Sequence, residues 1–269
     1  MTVLTNNQHY ADIANAIRAK NGTEATYKPS EMAEAVAAIK SSDYDAIITK
    51  SIKEVSSNVV TVYDYAFYNC ASLQSANFPK AITIEDYAFY GNTALTDINF
   101  PLVRTVDRYA FRGAGFAEAY FPALTYAGAS SFAYNTALTT VNMPKLPETA
   151  GSMFSNCTAL VRADFAKATT IGTYTFEKCY RLKAVILRST TLCELDNTSA
   201  FNNCYHYLGT VNSTYNPNGS KDGYIYVPSA LVNTYKTATN WSTYASQFRA
   251  LESYTVDGTT TGALDESKI

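Results

Sequence analysis

Charge is scarce in this chain. Asp, Glu, Lys and Arg make up 16% of its 269 residues, and 21 basic against 23 acidic side chains leave a net charge of −2. No basic balance points to a phosphate backbone, so nucleic acid is not an expected partner. Histidine is scarcer still: there are two, His9 and His206, and the spacing brings no Ser or Cys near either of them. Cysteine numbers five, an odd count that suits no closed disulfide framework. No run of 18 apolar residues occurs, so a membrane-spanning helix is not expected. The polar start Met1–Tyr10 lacks the charged-then-apolar pattern of a signal peptide, so the general secretion pathway is not the expected route. Gly-x-Gly-x-x-Gly, the phosphate loop and His-Glu-x-x-His are all missing. These absences leave nothing on which to build catalysis, a metal site or a bound cofactor. An enzyme is not expected.

What the chain has in quantity is tyrosine, 22 of them, and a repeat. Val62–Tyr63–Asp64–Tyr65–Ala66–Phe67–Tyr68–Asn69–Cys70 returns as Ile84–Glu85–Asp86–Tyr87–Ala88–Phe89–Tyr90–Gly91–Asn92. The anchor aromatics are Phe67, Phe89, Phe111, Phe132, Phe154, Phe176 and Phe201, at spacings of 22, 22, 21, 22, 22 and 25. Six residues after the anchor stands Leu73, Leu95, Leu138, Leu160 or Leu182; Phe116 takes the role one position early. A short apolar pattern follows, as in Ala76 and Phe78 or Val141 and Met143, and Pro79, Pro101, Pro122 and Pro144 close four of the units. A period near 22 residues means one strand and one return segment per unit. No unit buries its own apolar face, so stacking must make the core continuous.

The flanks differ. Tyr10, Ile13, Ala14 and Ile17 form one helical stripe, and Met32, Ala35, Val36 and Ile39 a second. Residues 1–41 are therefore expected to be a helical attachment or capping module, and 42–228 the solenoid, opening with an irregular unit. Ser229 to Glu252 reads as helical, with Ser229 as N-cap and the only Trp, Trp241, across the open end of the stack. Residues 229–255 are the expected C-terminal cap and 256–269 a flexible tail.

The units Ile-x-x-Tyr-Ala-Phe-x-Asn-Cys-x-x-Leu-x-x-x-x-Phe-Pro resemble the leucine-rich repeats of the BspA-like (Treponema-type) family over about residues 45–228. The resemblance implies an α/β repeat solenoid, a right-handed leucine-rich-repeat stack with a parallel sheet on one face. It also implies surface attachment or protein binding without catalysis. The fifth and sixth units carry Ala166 and Arg188 where the others have Pro. Tyr10–Gly22 followed by Met32–Ile39 resembles N-terminal modules of phage and prophage structural proteins, over about 35 residues. That likeness implies attachment to a virion or another large assembly through residues 1–41.

Four candidate sites remain. Asn77, Asn99, Tyr120, Asn142, Asp164, Ile186 and Tyr226 alternate with the inward residues and are expected on the outer sheet face. Ser75, Asp97, Glu118, Thr140 and Arg162 form a parallel row. This face is either a solvated sheet with laddered Asn side chains or a contact surface for a protein or glycan on a host or neighbouring cell. An insertion at 205–222, carrying Tyr205, His206 and Tyr215, is either a surface excursion or a ligand-contacting loop. Cys70, Cys157, Cys179 and Cys204 share one slot with Asn92 and Asn135, which suggests buried thiols rather than a metal or redox site; Cys193 has no assignment. Tyr65, Tyr87, Tyr109 and Tyr174 recur two before the anchor, as structural rings or a sugar platform.

Overall fold

The computed structural model describes residues 50–204 and 223–252, together with the backbone of 254–256 and 259–261. Within that range each 22-residue unit contributes a front strand and a shorter rear strand, all paired in parallel. Glu54–Ser56, Ser75–Asn77 and Asp97–Asn99 make one front sheet. Glu118–Tyr120, Thr140–Asn142, Arg162–Phe165, Ala184–Leu187, Tyr224–Val227 and Phe248–Ala250 make the next. The rear is built of two-residue strands such as Thr83–Ile84 and Thr105–Val106. The register follows the repeat: Ala76 faces Ile98, and Val141 faces Ala163.

The return turn is laddered as well. The N–H groups of Tyr65, Phe67 and Asn69 donate to the carbonyls of Asp86, Ala88 and Tyr90, one unit on, at 2.7–3.0 Å. Such a turn needs left-handed backbone at two places. Tyr65, Tyr87, Tyr109, Ser130, Ser152 and Tyr174, two before the anchor, all have φ between 56° and 59°. Asn69, Gly91, Gly113, Tyr134, Asn156, Lys178 and Asn203, two after it, have φ between 54° and 72°. Asn and Gly are common at the second place because they tolerate this region. Tyr at the first place carries strain of order 1 kcal/mol, offset by ring stacking at 5.0 Å (Tyr65–Tyr87) and 4.9 Å (Tyr87–Tyr109). Tyr65, Tyr87 and Tyr109 are thus a structural stack, while Tyr174 stands exposed.

The core is more continuous than either sheet. Anchor rings stack from Phe67 to Phe201 with centroids 5.1–5.8 Å apart. Phe78, Phe100 and Phe121 run beside them as a second stacked column. The front ladder, by contrast, breaks between Asp97–Asn99 and Glu118–Tyr120. The break falls where the unit has lost one residue. The shortened loop cuts the corner so closely that a Cβ on Gly115 would lie 2.2 Å from the Thr93 carbonyl oxygen. Gly115→Ala should therefore cost about 3 kcal/mol, read by urea denaturation. Gly151→Ala, whose new Cβ would meet nothing nearer than 3.6 Å, should change stability by less than about 0.5 kcal/mol.

The C-terminal cap is helical as far as Gln247 and extended beyond it. Ser229–Leu231 is a 3-10 turn, Val232–Thr237 an α-helix and Trp241–Gln247 a 3-10 stretch, but Phe248–Ala250 is a strand that extends the front sheet beyond Tyr224–Val227. Phe248 and Ala250 turn inward and Arg249 outward, a period of two that the helical count hid. Ser229 is not the N-cap: its N–H and hydroxyl both donate to the Glu252 carboxylate, at 2.8 and 2.5 Å. Further on, Tyr254–Val256 and Thr259–Thr261 pair antiparallel. Residues 1–49, and with them the attachment module, lie outside the described residues.

Candidate functional site

The front face divides into an open part and a closed part. From Glu54 to Asn142 its outward side chains are exposed or half-buried. Asn99 donates to Asn77 at 2.7 Å, and Asn77 to the Ser56 hydroxyl at 3.0 Å, so the amides do ladder across three strands. The Ser75 hydroxyl donates to Asp97 at 3.1 Å in the neighbouring row. The ladder ends at the break. Tyr120 stands just beyond it, 59% exposed, with Asn142 exposed at the facing position of the next strand.

Past Asn142 the surface closes over the next two strands, at Asp164, Ala184 and Ile186. Asp164 is only 6% exposed. Arg188 grips its carboxylate with Nε at 3.0 Å and a terminal nitrogen at 2.7 Å, and Arg162 adds a bond at 3.1 Å. Forked guanidinium contacts of this kind satisfy a carboxylate fully, so Asp164 is committed within the protein. Ile186, expected outward on the open face, is fully buried, as is Ala184. Tyr226 is half-buried, with its ring edge-on to Tyr224, over which the Arg249 guanidinium lies at 4.1 Å. In the sequence Arg249 has no assigned role and Arg188 stands out only as a departure from the repeat. The available signal was Arg188 in place of the strand-closing proline. Tyr205, His206 and Tyr215 lie outside the described residues.

Three shallow depressions mark the open part. One of roughly 740 Å³ lies over Glu54, Ser75, Asn77 and Asp97. One of roughly 500 Å³ follows the strand break, between Asp97, Asn99, Glu118 and Tyr120. A third, also roughly 500 Å³, lies between Glu118, Tyr120, Asn142 and Arg162. Glu54, Asp97 and Glu118 give this stretch negative character.

The other recurring polar groups are structural. Burial raises the carboxyls of Asp64 and Asp107, and the charge of Asp86 raises them further. Asp86 itself accepts from the Arg108 backbone N–H at 2.8 Å and its guanidinium at 3.0 Å. This acidic column therefore links one turn to the next. In the cysteine slot the thiols of Cys157, Cys179 and Cys204 donate to the carbonyls of Phe132, Phe154 and Phe176 in the preceding unit, at 3.2, 3.2 and 2.8 Å. Asn92 and Asn135 bridge in the same slot by accepting from the N–H groups of Cys70 and Ala114. Cys193, unassigned by sequence, is bolted to the cap: its N–H donates to the Tyr235 hydroxyl and its carbonyl accepts from the Trp241 indole. Burial pushes the Cys157 and Cys193 thiols up to about 12 and raises Cys179 and Cys204 as well. These are protonated, inert thiols. Among the described residues no group of three or more His, Cys, Asp or Glu is placed to hold a metal ion.

The family model described as BspA type leucine rich repeat region matches six copies, over residues 27–139 and 104–216. The match begins inside the segment expected to be the helical module. A leucine-rich repeat protein from Bacteroides ovatus is similar at 16% identity over 63% of this chain, with a TM-score of 0.35. A leucine rich cell surface protein from Faecalibacterium prausnitzii is similar at 17% over 71%, TM-score 0.37. A T. pallidum leucine rich repeat protein is similar at 26% over 48%, TM-score 0.35. The chain spans 59%, 61% and 53% of those three structures. No curated protein matches it.

Proposed function

The chain belongs to the BspA-type leucine-rich repeat family, and from that premise we propose that it is a non-catalytic recognition scaffold for adhesion to a protein or glycan on a host or neighbouring cell surface. The open front face from Glu54 to Asn142 is its contact surface. One observation carries this reading. The repeating anchor Phe, Leu and Cys or Asn slots are used up in packing and hydrogen bonds within the stack, whereas the outward front row stays accessible and changes from Asn77 and Asn99 to Tyr120 before returning to Asn142. Side chains that vary on a rigid, exposed sheet are what a solenoid offers to a partner. The acidic character contributed by Glu54, Asp97 and Glu118 favours a partner that is neutral or basic at the contact.

The two helical stripes of residues 1–41 support a second role, attachment of the solenoid to a larger assembly such as a phage or prophage tail. That reading rests on the sequence of this segment.

The test is binding of the labelled full-length chain to printed arrays of cell-surface proteins and glycans and to intact bacterial and host cells. Saturable binding that unlabelled chain competes away is expected. Uniform failure to bind any of these surfaces would overturn the adhesive role.

A further inference from the structure

We propose that the open front face holds a saccharide subsite centred on Tyr120, which takes a neutral oligosaccharide with one pyranose face laid on the tyrosine ring. The inference rests on the contact-surface reading above and narrows it to a ligand class.

Among the described residues six large hydrophobic side chains are exposed: Val60, Leu102, Tyr120, Tyr126, Tyr134 and Tyr174. Only Tyr120 belongs to a front strand, and it is the most exposed of the six. Tyr120 lines both of the depressions of roughly 500 Å³. The first of them exists because the strand ladder is broken between Asn99 and Tyr120.

A pyranose presents polarised C–H groups on one face and hydroxyls, each both donor and acceptor, around its rim. The negative face of the Tyr120 ring suits the first. The rim finds complementary groups on both sides. Asn142 offers an amide donor and acceptor with no partner inside the described residues, and Asn99, which uses its amide nitrogen on Asn77, keeps its oxygen. The Glu118 carboxylate makes no ion pair or hydrogen bond within the described residues, and among them the Asp97 carboxylate accepts only from Ser75. Either carboxylate can accept from two neighbouring hydroxyls at once, a charge-assisted arrangement stronger than neutral pairing.

The same inventory disfavours other occupants. A protein hot spot is built on several clustered apolar or aromatic anchors, and this face supplies one ring. An acidic sugar would meet Asp97 and Glu118, and Arg162, which lines the second depression, is already bonded to Asp164.

Saturation-transfer NMR and calorimetry test the inference, with lactose, cellotriose and chitotriose as neutral probes and sialyllactose as the anionic one. At least one neutral probe should bind with a Kd on the order of 1 mM, and sialyllactose should not. Tyr120→Ala should weaken binding at least about tenfold, Tyr120→Phe should retain it, and Tyr174→Ala on the return turn should leave it unchanged. If no neutral probe binds, or binding survives Tyr120→Ala, the inference is overturned. If front-face substitutions abolish attachment to cells while no saccharide binds, the contact surface stands and the saccharide subsite falls. If front-face substitutions affect neither, both fall.

Discussion

Trp241→Ala should lower the unfolding free energy by about 5 kcal/mol, the largest loss expected from any single substitution in the described residues. Trp241 is fully buried and touches Phe201, Tyr235, Tyr244 and Phe248, with ring centroids 5.7–6.4 Å apart. Truncating such a ring leaves a cavity worth about 3–5 kcal/mol. Its indole N–H also satisfies the buried Cys193 carbonyl at 2.7 Å, and orphaning that acceptor adds about 1–3 kcal/mol. The two contributions overlap, so their full sum is not expected. Because each unit of a stack leans only on its neighbours, the damage should begin at Phe201, the last anchor ring. Circular dichroism in a urea titration is the readout, since the variant has no tryptophan left. Trp241→Phe should recover most of the packing and lose chiefly the hydrogen bond. A loss under about 1 kcal/mol for Trp241→Ala would show that the cap does not hold the stack closed.

Stability should also fall steeply as the solution becomes alkaline. Burial raises the thiols of Cys157, Cys179, Cys193 and Cys204 above their ordinary value of 9.0, to about 12 for Cys157 and Cys193. Below pH 9 both folded and unfolded thiols are protonated, and their contribution is constant. Between pH 9 and about 12 the unfolded thiols ionise while the folded ones do not, so the unfolded chain binds fewer protons and is favoured. Each thiol contributes a slope of about 1.4 kcal/mol per pH unit in that window, and four together about 5 kcal/mol per unit. Burial raises the Tyr235 and Tyr244 hydroxyls too, which steepens the fall above pH 10. Urea titrations at a series of pH values should show a plateau up to about pH 9 and then loss of the folded state. Removing the ionisable group with Cys179→Ala should lessen the slope even though it also lowers stability at neutral pH. A flat profile to pH 11, or rapid labelling of these thiols by a thiol reagent at neutral pH, would contradict their burial.

Much of the fold was legible because one slot obeys one rule. Phe67 through Phe201 recur at nearly constant spacing, and constant spacing in a stack puts each ring on the one before it. The features that escaped are those where neighbours override local pattern. Ile186 alternates outward as its position demands, yet it is buried, because alternation fixes a side chain's direction and not what covers it. Phe248–Ala250 carries a helical stripe in continuity with Trp241 and Tyr244, yet the open edge of Tyr224–Val227 recruits it as a strand. Cys193 fits no slot because its role is to meet Tyr235 and Trp241, 42 and 48 residues further on. The one-residue deletion before Phe116 was visible in the spacing, but its consequence, a broken front ladder, needed three dimensions. In the candidate site the outward row was readable from period two. That Asp164 is withdrawn by Arg188 and Arg162 was not, since the pairing crosses strands.

The central claim is that function lies on the front face where the repeat varies. It is tested most directly by cell-surface binding of two matched variants. Asn99→Arg with Asn142→Arg alters the open front face, and Leu102→Arg with Tyr126→Arg alters exposed positions away from it. Both pairs sit on accessible side chains, and the front pair gives up only the exposed Asn99–Asn77 amide bond, so both proteins should fold and melt close to the parent. The account predicts that the front pair loses at least about tenfold in binding while the second pair binds as the parent does. Full binding by the front pair, with loss in the second, would contradict it.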